Sequence, residues 1–70
     1  MLNRRLLEAE MVLHGDNQKT LAAAMGVSGN ALMWKMQGKY DFKQKEIKFI
    51  SDRYRLNVDK VSAIFFDGGE

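Results

Sequence analysis

Three glycines punctuate the first half of the chain. Each is followed within three residues by a side chain that can cap a helix: Gly15 by Asn17, Gly26 by Ser28 and Gly38 by Asp41. Glycine takes up the left-handed backbone that ends a helix without a Cβ penalty. Asn, Ser or Asp opens the next helix by accepting a hydrogen bond from one of its free N–H groups. The seventy residues contain no proline, and no alternating run of β-branched residues is long enough to argue for a sheet. The spacing predicts short helices with connections of two to five residues, packed as an orthogonal bundle.

Apolar periodicity supplies the helix faces. Residues 2–14 read as a first helix with Leu2, Leu6, Ala9 and Leu13 on one stripe. Asn17 caps residues 18–25, whose apolar face is Leu21, Ala22 and Met25, and Ser28 caps a third helix that runs to about Gln37. Asp41, with Gln44 three residues later, has the spacing of a variant capping box for a fourth helix reaching Tyr54. Its inward stripe is Ile47, Ile50 and Tyr54. After a turn at Leu56-Asn57, residues 58–65 form a fifth helix. Residues 1–70 are expected to fold as one domain.

Composition narrows the function classes. A chain of this length builds only a small core. With no cysteine, disulfides and thiolate metal sites are excluded, and a lone histidine, His14, cannot build a metal site. No segment is long and apolar enough to span a bilayer, so a cytoplasmic protein without a membrane partner is expected. Catalysis finds little support. Asp16, Asp41 and Glu46 have no partner at a recognisable acid–base spacing, and "GVSG" lacks the lysine and spacing of a phosphate loop. His14, at a helix end, suits the capping of carbonyls. Neither a cofactor nor a small-molecule ligand is expected.

Charge is more telling in its distribution than in its sum. The net charge is +2, yet between Lys35 and Lys48 five lysines face only Asp41 and Glu46. Such a cluster is either a solvated face or the footprint of a polyanion.

The stretch between Gln18 and Gly38 decides which reading to follow. Ala22 comes four residues after Gln18, Gly26 four after Ala22, and Leu32 and Gly38 follow at intervals of six. Two helices that cross steeply after a turn of three or four residues approach each other closely. A small residue is needed at the closest approach (Ala22), a glycine in the turn (Gly26), and apolar plugs in the angle (Val27, Leu32 and Met36). That set is a helix-turn-helix.

"HGDNQKTLAAAMGVSGNALMWKMQGKYDFKQKEI" resembles the helix-turn-helix of small phage and prophage regulators of the Cro/C1 (XRE-like) class that consist of this domain alone. The features that carry it are the "NQ" start, the "MGVS" turn, the "KMQGK" close, the "DF…EI" entry to helix four and a terminal "IFF". The chain departs from many relatives at Asn17, where they have threonine, and at Lys43, where they have serine or threonine. The resemblance implies an all-α, compact five-helix lambda-repressor-like DNA-binding domain. It would regulate transcription, commonly as a repressor and as a homodimer on operator DNA, with the third helix in the major groove.

A helical wheel puts Leu32 and Met36 of the third helix inward and Asn30, Met33, Trp34 and Gln37 on the opposite side. Those four are the expected base readers. Asn30 and Gln37 can pair with adenine, while Trp34 can meet a thymine methyl. Gln18, Lys19, Ser28, Lys35, Lys39 and Lys43 are the expected phosphate contacts, and in the related repressors the glutamine at Gln18 also braces the reading helix. Trp34 has two other readings, packing under a flanking loop or the terminal "IFF", and contact with a protein. The functional alternative is a helix-turn-helix module that acts on another regulator, antirepressor- or antitoxin-like. Ile64, Phe65 and Phe66 cannot all face a small core, so part of that cluster is expected at a dimer contact or folded back on helix one.

Overall fold

Side-chain oxygens open four of the five helices in the computed structural model, which describes residues 2–66. The helices are α1 (Arg4–Leu13), α2 (Gln18–Met25), α3 (Gly29–Met36), α4 (Gln44–Tyr54) and α5 (Val58–Phe65). Asn3, Asn17, Ser28 and Asn57 accept from the backbone N–H of Leu6, Thr20, Ala31 and Lys60 respectively. Each such cap satisfies a donor that the helix cannot, for about 1 kcal/mol. At Asn17 the cap is reciprocal, because the Thr20 hydroxyl accepts from the Asn17 N–H at 2.9 Å. Gly15, Gly26 and Gly38 all have positive φ, as their placement after helices predicts.

One helix from each segment sends a side chain to the centre. Leu7, Leu21, Leu32, Ile50 and Ile64 are at most 1% exposed. Burying each contributes about 1.5–3 kcal/mol. Tyr54, Met11, Met36 and Phe65 complete the core around them. The radius of gyration is 11.0 Å, as expected for a chain of this length at normal density, about 11 Å. Among the described residues no helix is long and apolar enough to cross a membrane.

Two expectations about local structure need correction. The α1 face is Leu7 and Met11, not Leu2, Leu6, Ala9 and Leu13; Leu13 is 72% exposed, Leu6 and Ala9 are exposed, and Leu2 is only partly buried. The rotation is set from outside the helix. The Asn3 N–H donates to the Ile64 carbonyl at 2.6 Å, and Lys60 of α5 bonds Glu10 at 3.0 Å. These ties turn Leu7 and Met11 inward. The fourth helix is not capped by Asp41 either. Asp41 lies exposed in the connection, Lys43 is the residue before the helix, and the Glu46 carboxylate reaches back to the Lys43 N–H at 2.8 Å. Phe42 packs edge-on against Phe65, with ring centroids 5.4 Å apart, and the Lys43 backbone that follows is extended.

Candidate nucleic-acid interface

α2 and α3 are joined by three residues, Gly26, Val27 and Ser28. Gly26 sits at φ 75°, where an L side chain would be strained, and the Val27 N–H returns to the Ala22 carbonyl at 3.0 Å. Ser28 then opens α3 through its hydroxyl. Ala22 is 3% exposed and Leu32 fully buried, so the small residue and the plug both stand at the packed side of the turn.

The Gln18 side-chain amide donates to the Gly29 carbonyl at 3.2 Å. It ties the first residue of α2 to the first residue of α3, the bracing that the resemblance implies. Gln18 and Lys19 with Val27 and Gly29 line a shallow groove between the two helices. The Gln18 and Ser28 side chains therefore serve the α2–α3 unit, with Lys19 exposed beside them.

On the outer side of α3, Asn30 and Gln37 are exposed and Met33 is half-buried. Trp34 is 36% exposed. It is not under the terminal aromatics; its ring meets Tyr40 of the α3–α4 connection edge-on at 6.0 Å, and the Lys39 ammonium lies 5.1 Å from the ring centroid. Part of the flanking-loop reading therefore holds, with enough of the ring left open for a further contact. Sequence reasoning missed Tyr40, because a residue in an irregular connection has no periodicity to betray its position.

The cations divide into two kinds. Among the described residues Lys19, Lys39 and Lys43 are exposed and have no carboxylate within ion-pair distance. Lys35 differs from the expectation of a phosphate contact. Its ammonium bonds both oxygens of Glu46, Oε1 at 2.6 Å and Oε2 at 2.5 Å, and both side chains are 11% exposed. Burial pushes the Glu46 carboxyl up, but the bonds from Lys35 and the Lys43 N–H outweigh it and bring it below its ordinary value. The signal for Glu46 was present in the sequence as Lys43-x-x-Glu46, the spacing of a capping box with lysine in place of serine or threonine.

Behind this face, Asp16 gathers α2 and α4. Its carboxylate accepts from Arg53 at 2.7 and 2.9 Å, from the Tyr54 hydroxyl at 2.7 Å and from the Thr20 hydroxyl at 2.9 Å. Those bonds, Arg53 foremost, hold the Asp16 carboxyl well below the usual carboxylate range against the opposing effect of burial. The His14 ring nitrogen Nδ1 lies 2.9 Å from the Glu10 carbonyl and its ring stacks on Tyr54, in keeping with a helix-end histidine.

Comparison with protein-family models, curated proteins and solved structures gave no match. The functional reading therefore rests on the residues of this chain.

Proposed function

We propose that the protein is a sequence-specific double-stranded DNA-binding transcriptional regulator, a cytoplasmic repressor of the small phage or prophage type. α3 reads the major groove, as in the Cro/C1-type regulators that the sequence resembles. The observation that carries this reading is the outer face of α3, where exposed Asn30, Trp34 and Gln37 stand on a helix braced to α2 through Gln18. The residue types suit the task. Amides pair with adenine edges, an indole meets thymine methyls, and lysines anchor phosphates without reading sequence. A helix as short as α3 touches few base pairs, so two copies on a two-fold operator supply the specificity.

Titrating a mixed-sequence duplex at several salt concentrations tests the proposal. If Lys19, Lys39 and Lys43 each neutralise one phosphate, log K falls with log salt with a slope of about −2.7 per copy. Selection from a random duplex pool then yields a preferred site. Absence of salt-dependent binding removes the proposal. In that case the second reading applies, a surface for another regulator, which is favoured by the half-buried Met33, the Trp34–Tyr40 pair and the lack of arginine on α3.

A further inference from the structure

α3 is tied to its neighbours at both ends, and the two ties come from different helices. Near its start, Gln18 of α2 donates to the Gly29 carbonyl. Near its end, Lys35 is drawn onto Glu46 of α4, whose Oε1 also accepts the N–H of Lys43. Both partners of this second tie are little exposed, unlike those of the exposed pairs within α1 and α4. Arg4–Glu8 and Lys48–Asp52 have side chains between 47% and 77% exposed, where an ion pair holds little in place. The Lys35 and Glu46 side chains are each 11% exposed, and Lys35 lines a cleft with Met36, Phe42 and Ile47.

We propose that Lys35 and Glu46 are positioning residues for the outer face of α3, and that Lys35 touches no phosphate; the inference rests on the reading that this face contacts DNA. Two charges removed from water hold each other because separating them leaves both uncompensated among apolar neighbours. Any rotation or slide of α3 that parts the ammonium from the carboxylate is therefore resisted steeply. The same carboxylate opens α4, so the start of α4 and the end of α3 move together. Trp34 precedes Lys35 by one residue, a turn of about 100° on the helix. Fixing Lys35 against α4 fixes the direction in which Trp34, Asn30 and Gln37 point. Bases can be read only by side chains presented in a set register.

A phosphate-contacting Lys35 makes opposite predictions, and three variants separate the two roles. They are Lys35→Met, Glu46→Gln and the neutral double variant K35M/E46Q, with Lys35→Arg as the conservative control. Glu46→Gln keeps an acceptor for the Lys43 N–H and is the mildest of the three. Amide hydrogen exchange on the free proteins comes first. Positioning predicts that amides of residues 33–37 exchange about tenfold faster or more in K35M/E46Q and in Glu46→Gln, relative to those of α1 and α5. Next, each protein is titrated with a random-sequence duplex and with the duplex enriched from a random pool. Positioning predicts that K35M and E46Q each lower the ratio of the two affinities, by about tenfold. The salt slope on the random duplex stays at the parent value, and Lys35→Arg retains the ratio. Unchanged exchange in α3 overturns the proposal. So does a Lys35→Met slope flatter by about one with Glu46→Gln binding both duplexes more tightly, because Lys35 is then a phosphate contact. Absence of duplex binding by the parent protein overturns the DNA reading instead, and the exchange measurement still decides whether the pair holds α3.

Discussion

The Tyr54 hydroxyl donates to the Asp16 carboxylate at 2.7 Å across 38 positions of chain. Arg53, its neighbour on α4, closes on the same carboxylate through two nitrogens. Thr20 of α2 adds a fourth bond, so one acidic residue in the α1–α2 connection joins the start of α2 to the end of α4. Gln18, which braces α3, lies two residues from Asp16. The cluster thus holds the frame on which the outer face of α3 is mounted.

Acid should undo this cluster before it undoes the apolar core. The folded-state carboxyl of Asp16 is lowered, first by the Arg53 bond, and that of Glu46 is lowered as well. A lowered acid stabilises the fold at pH values above its unfolded pKa, about 4, and that contribution is lost as pH falls toward the folded value. The urea midpoint should therefore stay level between about pH 8 and 5 and drop below about 4. Asp16→Asn should lie below the parent at neutral pH and lose part of the acid-side drop. Tyr54→Phe removes a single bond to a charged acceptor and should cost about 1.5 kcal/mol at pH 7. Identical acid profiles for the parent and Asp16→Asn would show that Asp16 is not a source of the acid sensitivity.

Overpacking the turn tests the crossing of α2 and α3. Ala22 is 3% exposed, and Ala22→Leu should destabilise by about 1–3 kcal/mol as the helices are wedged apart. Thermal unfolding measures it. A variant that melts with the parent would mean that room exists where the packing places none.

Trp34→Ala should leave a folded protein. The side chain keeps one edge contact with Tyr40 and one cation above its ring, together about 1–2 kcal/mol, whereas a buried tryptophan costs about 3–5 kcal/mol. On the DNA reading, affinity for the enriched duplex falls in the same sample. Replacing thymine by deoxyuridine in that duplex weakens the parent and leaves Trp34→Ala unmoved, because the methyl group has lost its partner. Equal sensitivity of both proteins to deoxyuridine would remove the thymine contact.

Readers and anchors should separate by what they change. Asn30→Ala or Gln37→Ala should relax preference at one position of the half-site for about 1–3 kcal/mol and leave weak, non-specific binding nearly intact. Lys39→Ala should weaken all sequences alike and flatten the salt slope by about one. Lys39 also gives up its position over Trp34, so a small change in tryptophan emission should accompany the loss. A preference profile altered by Lys39→Ala alone would reverse the assignment.

If the terminal aromatics mediate self-association, Phe66 is the one exposed enough to do so. Ile64 and Phe65 are buried, while Phe66 is 61% exposed and lines a cleft with Leu2, Tyr40 and Phe42. Phe66→Ser should change stability by no more than about 0.5 kcal/mol. If two copies meet through this ring on a two-fold site, the variant should occupy that site one copy at a time in sedimentation experiments. Unaltered pairing of Phe66→Ser on the enriched duplex would place the contact elsewhere.

The caps at Asn17 and Ser28 and the turn at Gly26 could be read from the chain alone, because the hydrogen bonds involved close within five residues. Their outcome depends on neighbours already adjacent in sequence. The fifth helix matches its expected limits, residues 58–65, for the same reason. Where a side chain has to choose among distant partners, local pattern was not enough. Leu6 and Leu13 have the spacing of a core stripe, yet α1 turns Leu7 inward because α5 ties it at Asn3 and Glu10. Lys35 reads as one exposed lysine among several until folding brings Glu46, eleven positions away, against it. Asp16 meets Thr20 four residues on, but three of its four bonds come from Arg53 and Tyr54, 37 and 38 positions away. Sequence by itself determined the five helices, the ends of α2 and α5 and the α2–turn–α3 unit, since those follow from backbone geometry and short-range capping. Tertiary structure alone decided the rotation of α1, the capture of Lys35 and the lean of Trp34 onto Tyr40. Each of these is settled by which groups packing leaves in water and which it forces to find a partner.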